Sequence, residues 1–428
     1  KENDFLETAS EVKFSSMFLD YFPIKYRNFS KMFVPLKIIS LGVTNVDFGF
    51  TTLDNFEQVK SGASGVKYYE SGTFDLPEPF VASLIDKIKL EEHFADMLNQ
   101  STSPQNVEAD SLTLLERASV LSVGYANREA EVDLSSPHTL FVLSTTKGNI
   151  DAIDVDYRGN GSPFLWSTAR RIADFFGNPN TPIVVSNACI SGAAAQVVAL
   201  RYINNGLFDN VIVVGVDFLS KFIISGFQSF RALAPDVCKP FDAERCGLNL
   251  GEAAATIIFG KDTDDKPAQA RLICGAIRND ATHISAPSRT GEGCCRAIRN
   301  VLCGGQPTAD DIAFICAHGT ATPYNDAMEA NAIYRAGLGS VAVNSLKSLF
   351  GHTLGAAGVL ETIVSVEALG RGIVLPTLNC NNPEQLVVDN QPFLLNITKT
   401  ITHTDKKYFL KTLSGFGGVN AALLFEKY

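Results

Sequence analysis

No run of roughly eighteen apolar residues occurs anywhere in the 428-residue chain, so no segment is expected to cross a membrane as a helix. The chain also lacks a charged start followed by a short apolar run and a small-residue cleavage site, which makes a cytoplasmic location the expectation. Basic charge is in deficit: 36 lysines and arginines against 46 aspartates and glutamates leave a formal net charge of −10. Nucleic-acid binders need a basic stripe that displaces counterions from phosphates, so nucleic acid is not an expected partner. An acidic protein remains compatible with that total, because docking depends on a local patch. Low-complexity tracts, P-loops and HExxH patterns are absent. The nine cysteines are odd in number and scattered, unlike the framework of a small secreted domain, and reduced thiols are the default. Cys294 and Cys295 have no second pair at zinc spacing and Cys238 with Cys246 is not a CxxC unit, so no metal site is expected.

What is present is a globular composition, 46% hydrophobic and 19% charged, long enough for two or three structural units. Phe14, Met17, Phe18, Tyr21 and Phe22 recur on one helical face, with capping-box spacing at Thr8 and Glu11 and a stop at Pro23. Residues 1–36 are therefore expected to form an extension with an amphipathic helix, docked on its own domain or on a partner. From Lys37 onward apolar runs alternate with helical segments: Ile38–Val43, Thr139–Val142, Ile183–Ser186 and Val211–Val216 read as strands, and Ile190–Asn205 as a helix capped by Gly206. The polar stretch Lys261–Gln269 separates this half, 37–265, from a second, 266–428. There Ile312–Ala317, Val341–Asn344, Tyr408–Leu413 and Asn420–Glu426 read as strands and Gly355–Leu369 as a helix stopped by Gly370. Two similar α/β halves are expected, without a strict sequence repeat.

Three residues stand out for chemistry. Cys189 follows an apolar strand and opens the small-residue helix Ser191-Gly192-Ala193-Ala194-Ala195; the free N–H groups and partial positive charge there favour a thiolate and an oxyanion. His318 ends the run to Ala317, and His352 lies in Leu349-Phe350-Gly351-His352-Thr353. Both histidines sit at strand-to-helix transitions, where α/β proteins collect their sites. Taken singly, each is as readily a packing cysteine or a hydrogen-bonded structural histidine.

Together the segments Asn187-Ala188-Cys189, Cys316-Ala317-His318-Gly319-Thr320 and Leu346-Lys347-Ser348-Leu349-Phe350-Gly351-His352 resemble the active-site motifs of one family. It is the β-ketoacyl-acyl-carrier-protein synthases of the elongating type, in the thiolase superfamily. Lys239-Pro240-Phe241-Asp242 through Gly251-Glu252-Ala253, and Ser414-Gly415-Phe416-Gly417-Gly418-Val419-Asn420, are similar to two further motifs of that family. The resemblance implies a duplicated thiolase-like α/β fold with five layers, α-β-α-β-α. It implies that Cys189 carries an acyl thioester while His318 and His352 stabilise the enolate of a decarboxylating malonyl-carrier. By the same resemblance Lys347 pairs with Glu361, Asp326 and Glu329 support the histidines, and Thr320 and Thr322 contact phosphopantetheine. Phe416 contributes an oxyanion-hole N–H beside that of Cys189 and acts as a gate.

No enzyme-bound cofactor is implied, since the substrates ride on the phosphopantetheine of an acyl carrier protein, and a homodimer is the usual assembly. His352 argues against starter-condensing relatives, which carry asparagine there, and residues 412–428 lack the second cysteine of a degradative thiolase. The alternative is a weakly active or non-catalytic partner subunit of a heterodimer, like a chain-length factor. Asn187, Ile190 and Ser414 depart from the usual pattern around the acyl pocket, which leans towards a specialised product such as a polyketide or aryl polyene over ordinary fatty acids.

Overall fold

The computed structural model describes residues 36–44, 49–100, 107–154, 162–262, 268–284, 286–302, 307–388 and 390–428. The expected N-terminal helix with its Phe14, Met17, Phe18, Tyr21 and Phe22 face lies outside the described residues. The apolar runs become strands of one ten-stranded sheet. In the first half these are β1 (Leu36–Thr44), β2 (Thr139–Ser144), β3 (Ile183–Val185), β4 (Asn210–Asp217) and β5 (Ala253–Lys261). In the second they are β6 (Ala270–Asn279), β7 (Ile312–Cys316), β8 (Ala342–Asn344), β9 (Tyr408–Gly415) and β10 (Val419–Lys427).

The sheet order is β8-β7-β9-β10-β6-β1-β5-β4-β2-β3, and it contains the duplication. In each half the strands run third, second, fourth, fifth, first. The second strand is parallel to the third and fourth, and the fifth antiparallel to the fourth and first. The seam between the halves is short, Leu36, Lys37 and Ile38 of β1 opposite Leu272, Arg271 and Ala270 of β6.

Alternate residues of each strand point to opposite faces, which converts continuous apolar runs into layers. Val211 and Val213 face the interior between the two halves, with Phe259, Phe314, Leu423 and Phe425. That middle layer holds the helices α4 (Ser191–Asn204) and α8 (Ala357–Gly370). Ile212, Val214 and Ile258 face outward, onto α1 (Lys87–Gln100), α2 (Leu114–Ala130) and α3 (Leu165–Phe175). Leu410, Ala422 and Leu424 face the other way, onto α6 (Glu292–Val301) and α7 (Pro323–Arg335). A further helix, α5 (Lys221–Ser229), buries Ile223 and Ile224 in a smaller cluster with Leu76, Phe80 and Leu354. The expected five layers are thus present. Gly206 follows α4 in the expected left-handed conformation (φ 68°), whereas α8 runs through Gly370 and the left-handed residue is Gly372 (φ 66°).

The crossing of α4 and α8 brings the two halves' chemistry together. A Cβ on Gly358 would lie 2.5 Å from the Ala193 nitrogen, and one on Gly192 2.8 Å from the Val359 nitrogen. Backbone therefore packs on backbone, and Gln196 stitches the contact by donating to the Gly358 carbonyl at 3.0 Å. Gly358→Ala is expected to cost about 1–3 kcal/mol, since neither backbone can yield within a close-packed layer. It should also slow reaction at Cys189 by parting it from His352. A urea midpoint equal to that of the parent would show that the helices separate freely.

Candidate active site

Cys189 sits on a sharp turn between β3 and α4. Ala188 before it is left-handed (φ 47°), and Ser191 closes the turn by accepting from the Asn187 N–H at 2.7 Å and donating to the Ala188 carbonyl at 2.6 Å. The thiol is almost buried, and the N–H of Phe416 is bonded to it. Gly415 allows this approach, because a Cβ there would lie 3.1 Å from the Cys189 nitrogen.

His318 follows β7, and its backbone is held by an acid from α7: Glu329 accepts the N–H of His318 at 2.8 Å and of Gly319 at 2.9 Å. Asp326 fixes the next turn by accepting from Ala321 at 3.1 Å and Phe241 at 2.8 Å. His352 is anchored through its own backbone, donating to the Asn249 carbonyl at 2.7 Å. Its Nδ1 accepts the Leu354 N–H at 3.3 Å, which places the proton of the neutral ring on Nε2. The two rings meet edge to face with centroids 4.9 Å apart. The Cys189 sulfur and one nitrogen from each histidine all lie within 4.8 Å of one another. His318 Nδ1 and His352 Nε2 are buried without a protein partner.

These three residues line a cavity of about 410 Å3 together with Thr320, Thr322 and Phe416. Thr320 and Thr322 share a hydroxyl hydrogen bond of 2.9 Å. The Phe416 ring is 42% exposed and stacks on Phe227 at 5.9 Å, with Phe230 edge-on at 5.8 Å. Lys347, Glu361, Asp326 and Glu329 stand behind the cavity wall, all buried.

Electrostatics set the resting protonation. Burial first, then the Lys347 cation, holds both imidazoles well below the usual histidine range; His352 and Lys411 add to this at His318, Lys147 and Lys411 at His352. Cys189 corrects the expectation from its helix position: burial pushes the thiol up to about 11, and Lys347, Lys147 and the Phe416 N–H only partly oppose it. The resting site is therefore a thiol beside two neutral imidazoles. Burial would raise Glu361, but Lys347 and Lys411 hold it below the ordinary carboxylate range. A cysteine with two histidines is also a ligand set for a soft divalent ion; two buried lysine cations next to it oppose a further positive charge.

Residues 133–264 match the beta-ketoacyl synthase N-terminal domain and residues 270–381 the beta-ketoacyl synthase C-terminal domain. The chain belongs to the beta-ketoacyl synthase family. Among its relatives, the 3-oxoacyl-[acyl-carrier-protein] synthase 2 of Vibrio cholerae serotype O1 is 31% identical over 261 residues, 57% of this chain and 62% of that protein. The mitochondrial 3-oxoacyl-[acyl-carrier-protein] synthase of Arabidopsis thaliana is 33% identical over 271 residues, 58% of this chain and 57% of that one. The matches thus span about three fifths of the curated relatives' length. The ishigamide ketosynthase/chain length factor structure shares the fold, with a TM-score of 0.78 at 23% identity, covering 92% of this chain and all of that one.

Within this beta-ketoacyl synthase fold, two contributors escaped the reading of the sequence. Asn249 fixes His352 through a main-chain carbonyl, which no residue type signals. Lys411 was legible in principle, as a lone cation inside the apolar run Tyr408-Phe409-Leu410-Lys411-Thr412-Leu413.

Proposed function

We propose that the chain is a β-ketoacyl-acyl-carrier-protein synthase that joins an acyl group held on Cys189 to a malonyl unit by decarboxylative condensation. The observation that supports this most directly is the convergence of one thiol and a ring nitrogen from each of two histidines within 4.8 Å.

In the first half-reaction the Cys189 sulfur forms a bond to the acyl carbonyl carbon and the carrier sulfur leaves. The thiol proton passes to the imidazole pair and from there to the departing thiolate, a route that a thiol held up to about 11 requires. The N–H groups of Cys189 and Phe416 would hold the acyl oxygen. In the second, the bond between the malonyl carboxylate and its α-carbon breaks, carbon dioxide leaves, and the electron pair becomes an enolate. Its oxygen takes N–H donors from His318 and His352, a role for which neutral rings in a dry site are suited. The α-carbon then bonds to the acyl carbon, and Cys189 leaves as thiolate and regains a proton.

Thr320 and Thr322 would receive the phosphopantetheine arm of an acyl carrier protein, the proposed partner, and no resident cofactor takes part. A homodimer is the proposed assembly and a heterodimer the alternative. The intact thiol and histidine pair speak against a non-catalytic chain-length-factor role. Among the described residues no helix is long and apolar enough to cross a membrane.

Incubation with acyl-carrier proteins of several chain lengths, aryl-primed ones included, is expected to add one acyl mass to the peptide that contains Cys189 and to no other cysteine. Absence of that adduct with every chain would overturn the proposal.

A further inference from the structure

Lys411 is a second buried lysine beside the histidines, and the proposed chemistry assigns it nothing. It lies on β9, wholly buried. Its Nζ donates to the carbonyls of Cys316 at 3.0 Å, Ala317 at 3.2 Å and Thr412 at 2.9 Å, and lies 2.7 Å from Glu361 Oε2. Cys316 and Ala317 are the two residues that lead into His318. The neighbouring Thr412 donates at 2.6 Å to Glu329, the carboxylate that accepts the N–H groups of His318 and Gly319. Consecutive residues of one strand thus hold the backbone on both sides of His318, one through its preceding carbonyls and one through its amides. A few residues on, the same strand ends in Gly415 and the Phe416 N–H that touches Cys189.

Charge makes the residue more than a strut. Glu361 already pairs with Lys347 through its other oxygen. Lys347, Lys411 and Glu361 together leave one positive charge unbalanced in a region without water screening. A hydrophobic side chain would complete the strand without the desolvation penalty that a lysine incurs.

We propose that Lys411 is a positioning residue for the histidine pair: it pins the end of β7 through Cys316 and Ala317, and beside Glu361 it adds a second buried cation behind the two rings. This rests on the reading of the site as an acyl-transfer centre, where a protonated imidazole has no lone pair to take the thiol proton. The other charged or titratable groups around the rings are Lys347 from its short helix, Glu361 of α8, and Asp326 and Glu329 of α7. Cys189 stands before α4, Lys147 after β2, Asp217 at the end of β4, and Asp280, Arg231 and Cys246 on the cavity wall. Removing the Lys411 cation withdraws a repulsion, so protonation of the rings must begin at higher pH than in the parent.

The test compares Lys411→Met, Lys411→Arg and the parent in the full chain. Two quantities are followed against pH: the titration of the His318 and His352 ring signals by NMR, and the rate of Cys189 acylation by mass spectrometry. In Lys411→Met the ring signals are expected to titrate at higher pH. Acylation should fall more at pH 5.5 than at pH 8, a loss in kcat with KM unchanged. Lys411→Arg should restore both. Ring titrations that superimpose on the parent, or a uniform loss at all pH values, would reduce Lys411 to a packing role and overturn the proposal. Should Lys411→Met fail to fold, Lys411→Gln, which keeps a donor but not the charge, carries the same readouts. If the parent itself takes no acyl group, the reading of the reaction fails, and the ring titrations still decide the role of Lys411.

Discussion

Cys189→Ala is expected to abolish condensation, lowering it by about six orders of magnitude or to background, because Cys189 is the cavity thiol grouped with both histidines. Among the described residues the other cysteines are not expected to substitute. Cys294, Cys316 and Cys380 are buried away from the cavity lining, and Cys246, which lines it, has no histidine pair beside it. The same variant should still release carbon dioxide from malonyl-carrier, since enolate stabilisation is assigned to His318 and His352. His352→Ala should show the reverse pattern. It keeps the sulfur and the N–H groups of Cys189 and Phe416, so acyl transfer continues at reduced rate, while decarboxylation falls by about a hundredfold or more with the loss of one donor. Separate assays of acyl-protein mass and of carbon dioxide release check the two halves. Loss of both steps in both variants would contradict the division of labour.

That division was partly legible in the linear chain. Cys189, His318 and His352 each lie within a few residues of an apolar strand and just before a helix-forming segment, and such junctions gather at one end of a mixed sheet. The layers were legible for the same reason: a run apolar on both faces must be covered on both. What the chain order hides is pairing. The identical third-second-fourth-fifth-first order of the two halves arises from backbone hydrogen bonds between strands with different residues, such as β4 and β9, so no sequence repeat announces it. The thiol state of Cys189 was hidden too. A helix start argues for a thiolate, but burial beneath Phe416 outweighs it, and burial is a property of the folded layers. Lys411 went unread because a lysine's chemistry suits a surface, and only the strand's position in the sheet brings Glu361 within 2.7 Å.

The largest stability effect is expected at Glu361. Its carboxylate is the counter-ion of two lysines, and all three groups are essentially without solvent contact. Glu361→Leu leaves both cations buried and uncompensated, at a cost of about 3–5 kcal/mol or more, because desolvation already spent on the lysines is no longer offset. The protein should respond with a much lower urea midpoint, and with lysines that shed their protons instead of remaining charged. A second substitution set separates charge from packing. Adding Lys347→Met and Lys411→Met to Glu361→Leu removes every charge of the cluster while keeping similar volume, and most of the lost stability should return. Acyl transfer should not return with it, since the triple variant withdraws the positive field at the imidazoles and the anchor on Cys316 and Ala317. A midpoint for Glu361→Leu within about 1 kcal/mol of the parent would mean that the lysines reach water or another acid, and the cluster would then lose its role as a buried source of charge. Recovery of both stability and acylation in the triple variant would locate the control of histidine protonation elsewhere, in Lys147 or in burial alone.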